Sequence, residues 1–266
     1  MRTQCLLRLA AGWLAACCLA SAQTPAPDQT AATEPPPDPI HTSERADPGL
    51  KQFPRELLSN FRALVSTQNL VPLAVGAAAT GVAKFPNVRV ENFFGAKPKY
   101  LLHEPGDIMG APWVAAPAMV GLLVVGQKSD DARFRSFTYS LAQGYVINQS
   151  IVMGLKTAIG SQRPNGENSL SFPSGHTAGA FTWATTVTHY YGLKAGIPAY
   201  LAATYVGFAR LDDRAHRLTD VVAGAAIGYI VGKTVSRRAN PNRKLAWNVV
   251  VPPGGGVGLS LQYPLP

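Results

Sequence analysis

Three short polar motifs between residues 156 and 220 gather the side chains of this chain that are best suited to chemistry. The first runs from Lys156 to Arg163-Pro164. The second is Pro173-Ser174-Gly175-His176, and the third is Arg210-x5-His216-x3-Asp220. Together they offer three cations, two histidines, one carboxylate and a Ser-Gly turn. That inventory suits a phosphate group, whose oxygens need cations and whose transfer needs a nucleophile and a proton donor. The set has too few ligands at standard spacing for a metal site, and it lacks the elbow of a serine hydrolase.

Each motif makes a local prediction. Lys156 and Arg163 are nearly two helical turns apart, which places both on one face of a helix that Pro164 breaks. Two cations at the end of an apolar helix are costly unless they meet an anion. Ser174 is the expected N-cap of the next helix, and Gly175 leaves main-chain N–H groups open to an anion. His176 falls in the first turn, placed to protonate a departing oxygen. His216 and Asp220, four apart, meet on one helical face. A carboxylate on one imidazole nitrogen fixes the tautomer and makes the other a better nucleophile. Taken singly, the motifs have plainer alternatives: a basic helix end, a capping turn with an incidental histidine, and a helix-start ion pair.

The elements that must carry these groups read as helices. Apolar stretches recur at 70–83, 113–125, 137–159, 177–191, 197–208 and 221–235, longer than ordinary strands and rich in Ala, Leu and Gly. Prolines fall mainly near their ends or early turns. No repeat and no βαβ alternation is present, so the expected class is all-α, a compact bundle of about six core helices. Gly224-x3-Gly228-x3-Gly232 predicts close helix contact. A mean hydropathy of +0.05 is low for a protein with six spans. A compact bundle, soluble or peripherally bound, is therefore favoured over a multi-span one. After residue 243 the character changes, and residues 247–263 read as a short β-hairpin around a Gly-rich turn.

Residues 1–22 read as a secretory signal peptide, with Arg2 and Arg8 before an apolar run and Ala20-Ser21-Ala22 as cleavage site. An uncleaved anchor and a lipidated Cys17 are the alternatives. Cys5, Cys17 and Cys18 are the three cysteines, and all lie in this leader. Residues 23–50 are proline-rich and read as a disordered linker. Residues 51–243 are left as one domain and 244–266 as a tail. The net charge of +9 favours anionic partners, phosphorylated substrates or an anionic membrane surface. It is not arranged as a nucleic-acid patch, since no basic run carries interleaved aromatics. The cluster Lys233, Arg237, Arg238, Arg243 and Lys244 could touch a membrane surface or simply cap a helix end. Oligomeric state is left open.

In this order and at these spacings, the three motifs resemble the type 2 phosphatidic acid phosphatase (PAP2) superfamily, which also holds class A acid phosphatases and vanadium haloperoxidases. The resemblance implies a bacterial envelope phosphatase, in the periplasm or at the membrane. It would act on phosphate monoesters or lipid (pyro)phosphates through a phosphohistidine. Lys156, Arg163 and Arg210 would hold the phosphate oxygens, with Ser174 and the Gly175 amide completing the cradle. His216 would be the nucleophile, Asp220 its orienting partner and His176 the proton donor. No metal or other cofactor is implied; vanadate enters as a phosphate mimic. A vanadium haloperoxidase, with His216 on the metal, is one alternative, and a non-catalytic anion-binding envelope protein is another. The family usually has Ser before the third-motif arginine, where this chain has Ala209. The resemblance thus implies one hydroxyl fewer at the site. Asp212 and Asp213 are unusual beside an anion pocket and read as solvent-facing loop charges or as groups tuning its rim. Tyr100, His103, Glu104, Gly106 and Asp107 read as a structural loop, with an entrance to the site as the alternative.

Overall fold

The computed structural model describes residues 49–96 and 112–239 and the strands 246–250 and 258–262. The leader, nearly all of the proline-rich segment and the loop from Tyr100 to Asp107 lie outside the described residues. Among the described residues, eight helices follow a 3-10 turn at Leu50–Gln52: α1 (Phe53–Ala63), α2 (Thr67–Ala83), α3 (Asn87–Gly95), α4 (Pro112–Gln127), α5 (Ala132–Ile159), α6 (Gly175–Tyr191), α7 (Leu193–Asp212) and α8 (Leu218–Ala239). All six apolar stretches of the sequence are helical. Two further helices, α1 and α3, come from segments too mixed in polarity to show an apolar run. Beyond α8, β1 (Ala246–Val250) pairs antiparallel with β2 (Gly258–Gln262), Trp247 opposite Leu261.

Helix α6 is the centre of the bundle, packed against α8, α7 and α5, while α2 lies on α8 and α4 on α5. Phe137, Leu141, Ala184, Val187, Tyr190, Ala199 and Ala203 make one apolar cluster, joining α5, α6 and α7. Leu64, Ile147, Ile230, Val231 and Val235 make the other. The threonines of α6 do not disturb its burial. Thr182, Thr185, Thr186 and Thr188 each donate to the carbonyl four residues back, so these four hydroxyls are satisfied within the helix. Tyr190 and His189 are core residues, and the Tyr190 hydroxyl bonds Ser140 Oγ at 2.8 Å.

The glycine spacing on α8 marks a close contact with the main chain of α6. A Cβ added at Gly224 would lie 2.5 Å from Ser174 O, one at Gly228 2.3 Å from Ala178 O, and one at Gly232 2.8 Å from Thr182 O. The two helices therefore meet main chain to main chain along three turns, closer than any side chain allows. Among the described helices α8 is long and apolar enough to cross a membrane, and half of its most apolar stretch is buried inside the bundle. Helices α1 and α2 together would pass the same test, bent by 61° at their junction.

Candidate active site

The candidate side chains enter from four places: the end of α5, the loop that follows, the start of α6 and the turn between α7 and α8. Asp131 caps α5, accepting from Arg133 N at 2.8 Å and Phe134 N at 3.3 Å. The helix ends at Gly160, whose left-handed φ of 60° suits glycine. Lys156 thus lies in its last turn. Arg163 does not share that face: it stands in the loop beyond Gly160, which stops the helix four residues before Pro164. This corrects the expectation of one helical face carrying both cations. Tertiary contacts bring them together instead, and Lys156 and Arg163 both act electrostatically on His176 and His216.

Lys156 is buried, and its Nζ donates to the carbonyls of Leu170 and Ser171. Burial, and then the charge of Arg163, lower its pKa to about 8. The ammonium therefore fastens the loop ahead of α6 as well as charging the pocket. Arg163 Nη1 donates to Glu167 at 3.0 Å. Arg217 Nη1 donates to Gln162 O at 2.6 Å, and Asn165 N to Arg214 O at 3.0 Å, so the loop is stitched to the α7–α8 turn.

Ser174 is the N-cap of α6, as its sequence position predicts: its Oγ accepts from Thr177 N at 3.4 Å. Gly175 opens the helix and His176 sits in its first turn. Burial, and then the charge of His216, push the His176 pKa down to about 4, so this imidazole is neutral near pH 7.

Arg210 ends α7, 4% exposed, with Nη2 3.8 Å from Asp213. Asp212 is itself buried, so neither aspartate is a solvated loop charge. Asp213 also favours the protonated form of His176. It joins an arginine and a histidine of two different motifs. The main chain then turns back at Arg214, with φ 54°, and His216 N reaches Arg210 O at 3.3 Å. His216 lies just before α8, and Asp220 lies in the first turn of that helix, so the pair does not ride on one helical face as expected. They face each other all the same, with His216 Nδ1 3.7 Å from Asp220 Oδ2, too long for a hydrogen bond. Burial lowers the His216 pKa against the pull of Asp220, which favours the neutral, nucleophilic form.

Asp220 is held by Ser171, which no motif contains, and by main-chain N–H groups. Its Oδ2 accepts from Ser171 Oγ at 2.6 Å and Arg217 N at 2.8 Å. Ser174 N donates to Asp220 O at 2.9 Å, joining the second and third motifs through the main chain. Helix α3 completes the support. Asn87 Nδ2 donates to Thr219 Oγ1 at 3.1 Å, and Thr219 N returns a bond to Asn87 Oδ1 at 3.1 Å. Arg217 faces Glu91 of α3 at 3.7 Å, and a small cleft opens here beside His216. Spacing could not have found Ser171 or Asn87, because both contacts arise only in the folded chain. Ala209, where the family usually has serine, is 1% exposed. Replacing Asn87 by alanine removes two hydrogen bonds and should cost about 1–3 kcal/mol of stability, read from the denaturant midpoint.

Parts of the chain are similar to known proteins. Residues 133–244 match the PAP2 superfamily. The chain is 33% identical over 125 residues to a lipid A 1-phosphatase of Porphyromonas gingivalis, covering 46% of this chain and 27% of that protein. It thus spans about a quarter of that relative's length. It is 26% identical over 155 residues to a lipid A 4'-phosphatase of Helicobacter pylori, covering 54% of this chain and 74% of that protein. The crystal structure of Aquifex aeolicus LpxE superposes with a TM-score of 0.47 at 25% identity, covering 56% of this chain and 93% of that one.

Proposed function

We propose that this chain is a lipid-phosphate phosphatase of the bacterial envelope, acting through a phosphohistidine on His216. The observation that carries the reading is the facing of His216 Nδ1 and Asp220 Oδ2 at 3.7 Å, with the charges of Lys156 and Arg163 acting on the same imidazole. Lys156, Arg163 and Arg210 hold the phosphate oxygens, with Ser174 and the Gly175 N–H at the start of α6. The charge of Asp220, facing Nδ1 of His216, favours the tautomer with its proton there, so the Nε2 lone pair attacks phosphorus. The bond to the leaving alcohol oxygen breaks, and His176 passes that oxygen a proton. Neutral His176 then takes a proton from water, whose oxygen attacks phosphorus and breaks the P–N bond. Phosphate leaves and His216 is restored. All of these steps are carried by side chains, and no metal enters them.

Membrane contact fits the outer surface. Val75 on α2, Val120 and Val124 on α4, and Ile197, Leu201 and Phe208 on α7 are large apolar side chains left exposed. With the names of the relatives, this favours a lipid-borne phosphate, such as that of lipid A, over a small soluble ester.

The decisive assay is phosphate release in EDTA from a lipid A phosphate, phosphatidate and p-nitrophenyl phosphate, each beside the His216→Ala variant. Metal-independent release from the lipids that the variant loses supports the reading. Release that needs added metal, or survives the substitution, overturns it. The pH profile is a further expected result. With both histidine pKa values below the ordinary 6.5, kcat/KM, which reports the free enzyme, should be highest on the acid side of pH 6.5. A bound phosphate anion raises the His176 pKa, so the basic limb of kcat should lie at higher pH. Coincident profiles would remove His176 from the role of acid.

A further inference from the structure

A second polar cavity, of about 400 Å³, lies at the other end of the bundle. It is lined by Arg55, Glu56, Ser59 and Asn60 of α1, by Gln143 of α5 and by Arg238 of α8, among others. Gln143 and Lys156 are both on α5, thirteen residues apart, and Arg238 and Asp220 both on α8, eighteen apart. At helical rise the cavity is roughly 20–27 Å from the phosphate site, so it is no extension of it.

Its chemistry is that of a donor-rich socket. Asn60 Nδ2 donates to Gln143 Oε1, which uses the carbonyl end of that amide. Gln143 Nε2 is left without a hydrogen-bond partner, on a residue 2% exposed. A buried N–H with no acceptor costs about 1–3 kcal/mol, which an acceptor from a ligand would recover. Arg238 Nη2 donates to Ser59 Oγ at 2.5 Å. Neither Arg55 nor Arg238 is in an ion pair with a carboxylate of the described residues. Two guanidiniums and an amide donor face one carboxylate, Glu56, so the balance favours an anion with several acceptor oxygens. Arg62, Lys233 and Arg237 add positive charge at the same end. The volume falls in the range of small-molecule sites.

We propose that this cavity is a second anion site that takes a phosphate group, distinct from the one at His216. The group comes either from the headgroup of an anionic phospholipid or from free phosphate. The site binds and does not react, because it holds no nucleophile paired with a base.

Calorimetric titration of the purified full chain tests it, with dihexanoyl phosphatidylglycerol, dihexanoyl phosphatidylcholine and inorganic phosphate as probes. Each probe is compared between the native sequence and the variants Arg238→Gln and Gln143→Leu. Arg238 is exposed, so its variant keeps the fold even if the buried one does not. Phosphatidylglycerol binding weakened roughly ten- to a hundredfold by Arg238→Gln identifies a lipid headgroup. Loss of one of two inorganic phosphate sites identifies free phosphate. Unchanged binding of both anions in the variants, or equal binding of phosphatidylcholine, overturns the proposal. Phosphate release at the His216 end should be the same in Arg238→Gln, so the outcome does not depend on the catalytic reading.

Discussion

Phosphate release by His216→Ala should fall by roughly 10⁴-fold or more, with the helical content intact. The size follows from the role. Under the proposed mechanism, removing His216 deletes the covalent route, and the cations that remain can only orient water. His176→Ala should behave differently, and in a way that depends on the leaving group. An alkoxide needs a proton to depart, so lipid phosphates should lose roughly 10²–10⁴-fold. p-Nitrophenolate departs unaided and should lose far less. Steady-state rates for both substrates with both variants give four numbers. If His176→Ala were equally damaging for the two leaving groups, the division of labour between the histidines would be wrong.

Gly228→Val should be the most damaging single substitution for the fold. Its Cβ would lie 2.3 Å from Ala178 O, and main chain cannot rotate away as a side chain can. Helices α6 and α8 would have to separate, at a cost on the order of 3 kcal/mol or more. For a domain of this size that is roughly 10 °C in melting temperature. Gly154 of α5 is the matched control, since nothing lies within 4 Å of a Cβ placed there. Gly154→Ala should be neutral or stabilising by up to about 1 kcal/mol through helix propensity. Thermal melts of both variants decide the matter. Equal melting would mean the close contact can relax.

Much of this was legible in the sequence because the relevant signals are local. Continuous apolar runs mark α2, α4, α5, α6, α7 and α8. Ser174 before an apolar stretch marks its own cap, and the Gly224-Gly228-Gly232 spacing marks the contact it makes. What was missed is mostly non-local. Helices α1 and α3 alternate Arg, Glu and Asn with their apolar residues, so their helical form depends on what they pack against. Arg163 was misplaced because Pro164 looked like the end of α5, whereas Gly160, free to adopt φ 60°, ends it first. Asp213 looked like a loop charge until α7 brought it to Arg210. Ser171 and Asn87 have no signature at all, since each finds its partner across 49 and 132 residues of chain.

The meeting of Gly224 with Ser174 O, beside the bond from Ser174 N to Asp220 O, also bears on how such a chain can change over generations. The spacing of its two histidines is set by peptide groups, which every sequence shares. Mutation can therefore rework the apolar exterior to suit a thicker bilayer, a different lipid or no bilayer, without moving the reacting atoms. Adaptation to surroundings and preservation of chemistry fall on separate sets of residues, and selection can act on one while leaving the other alone.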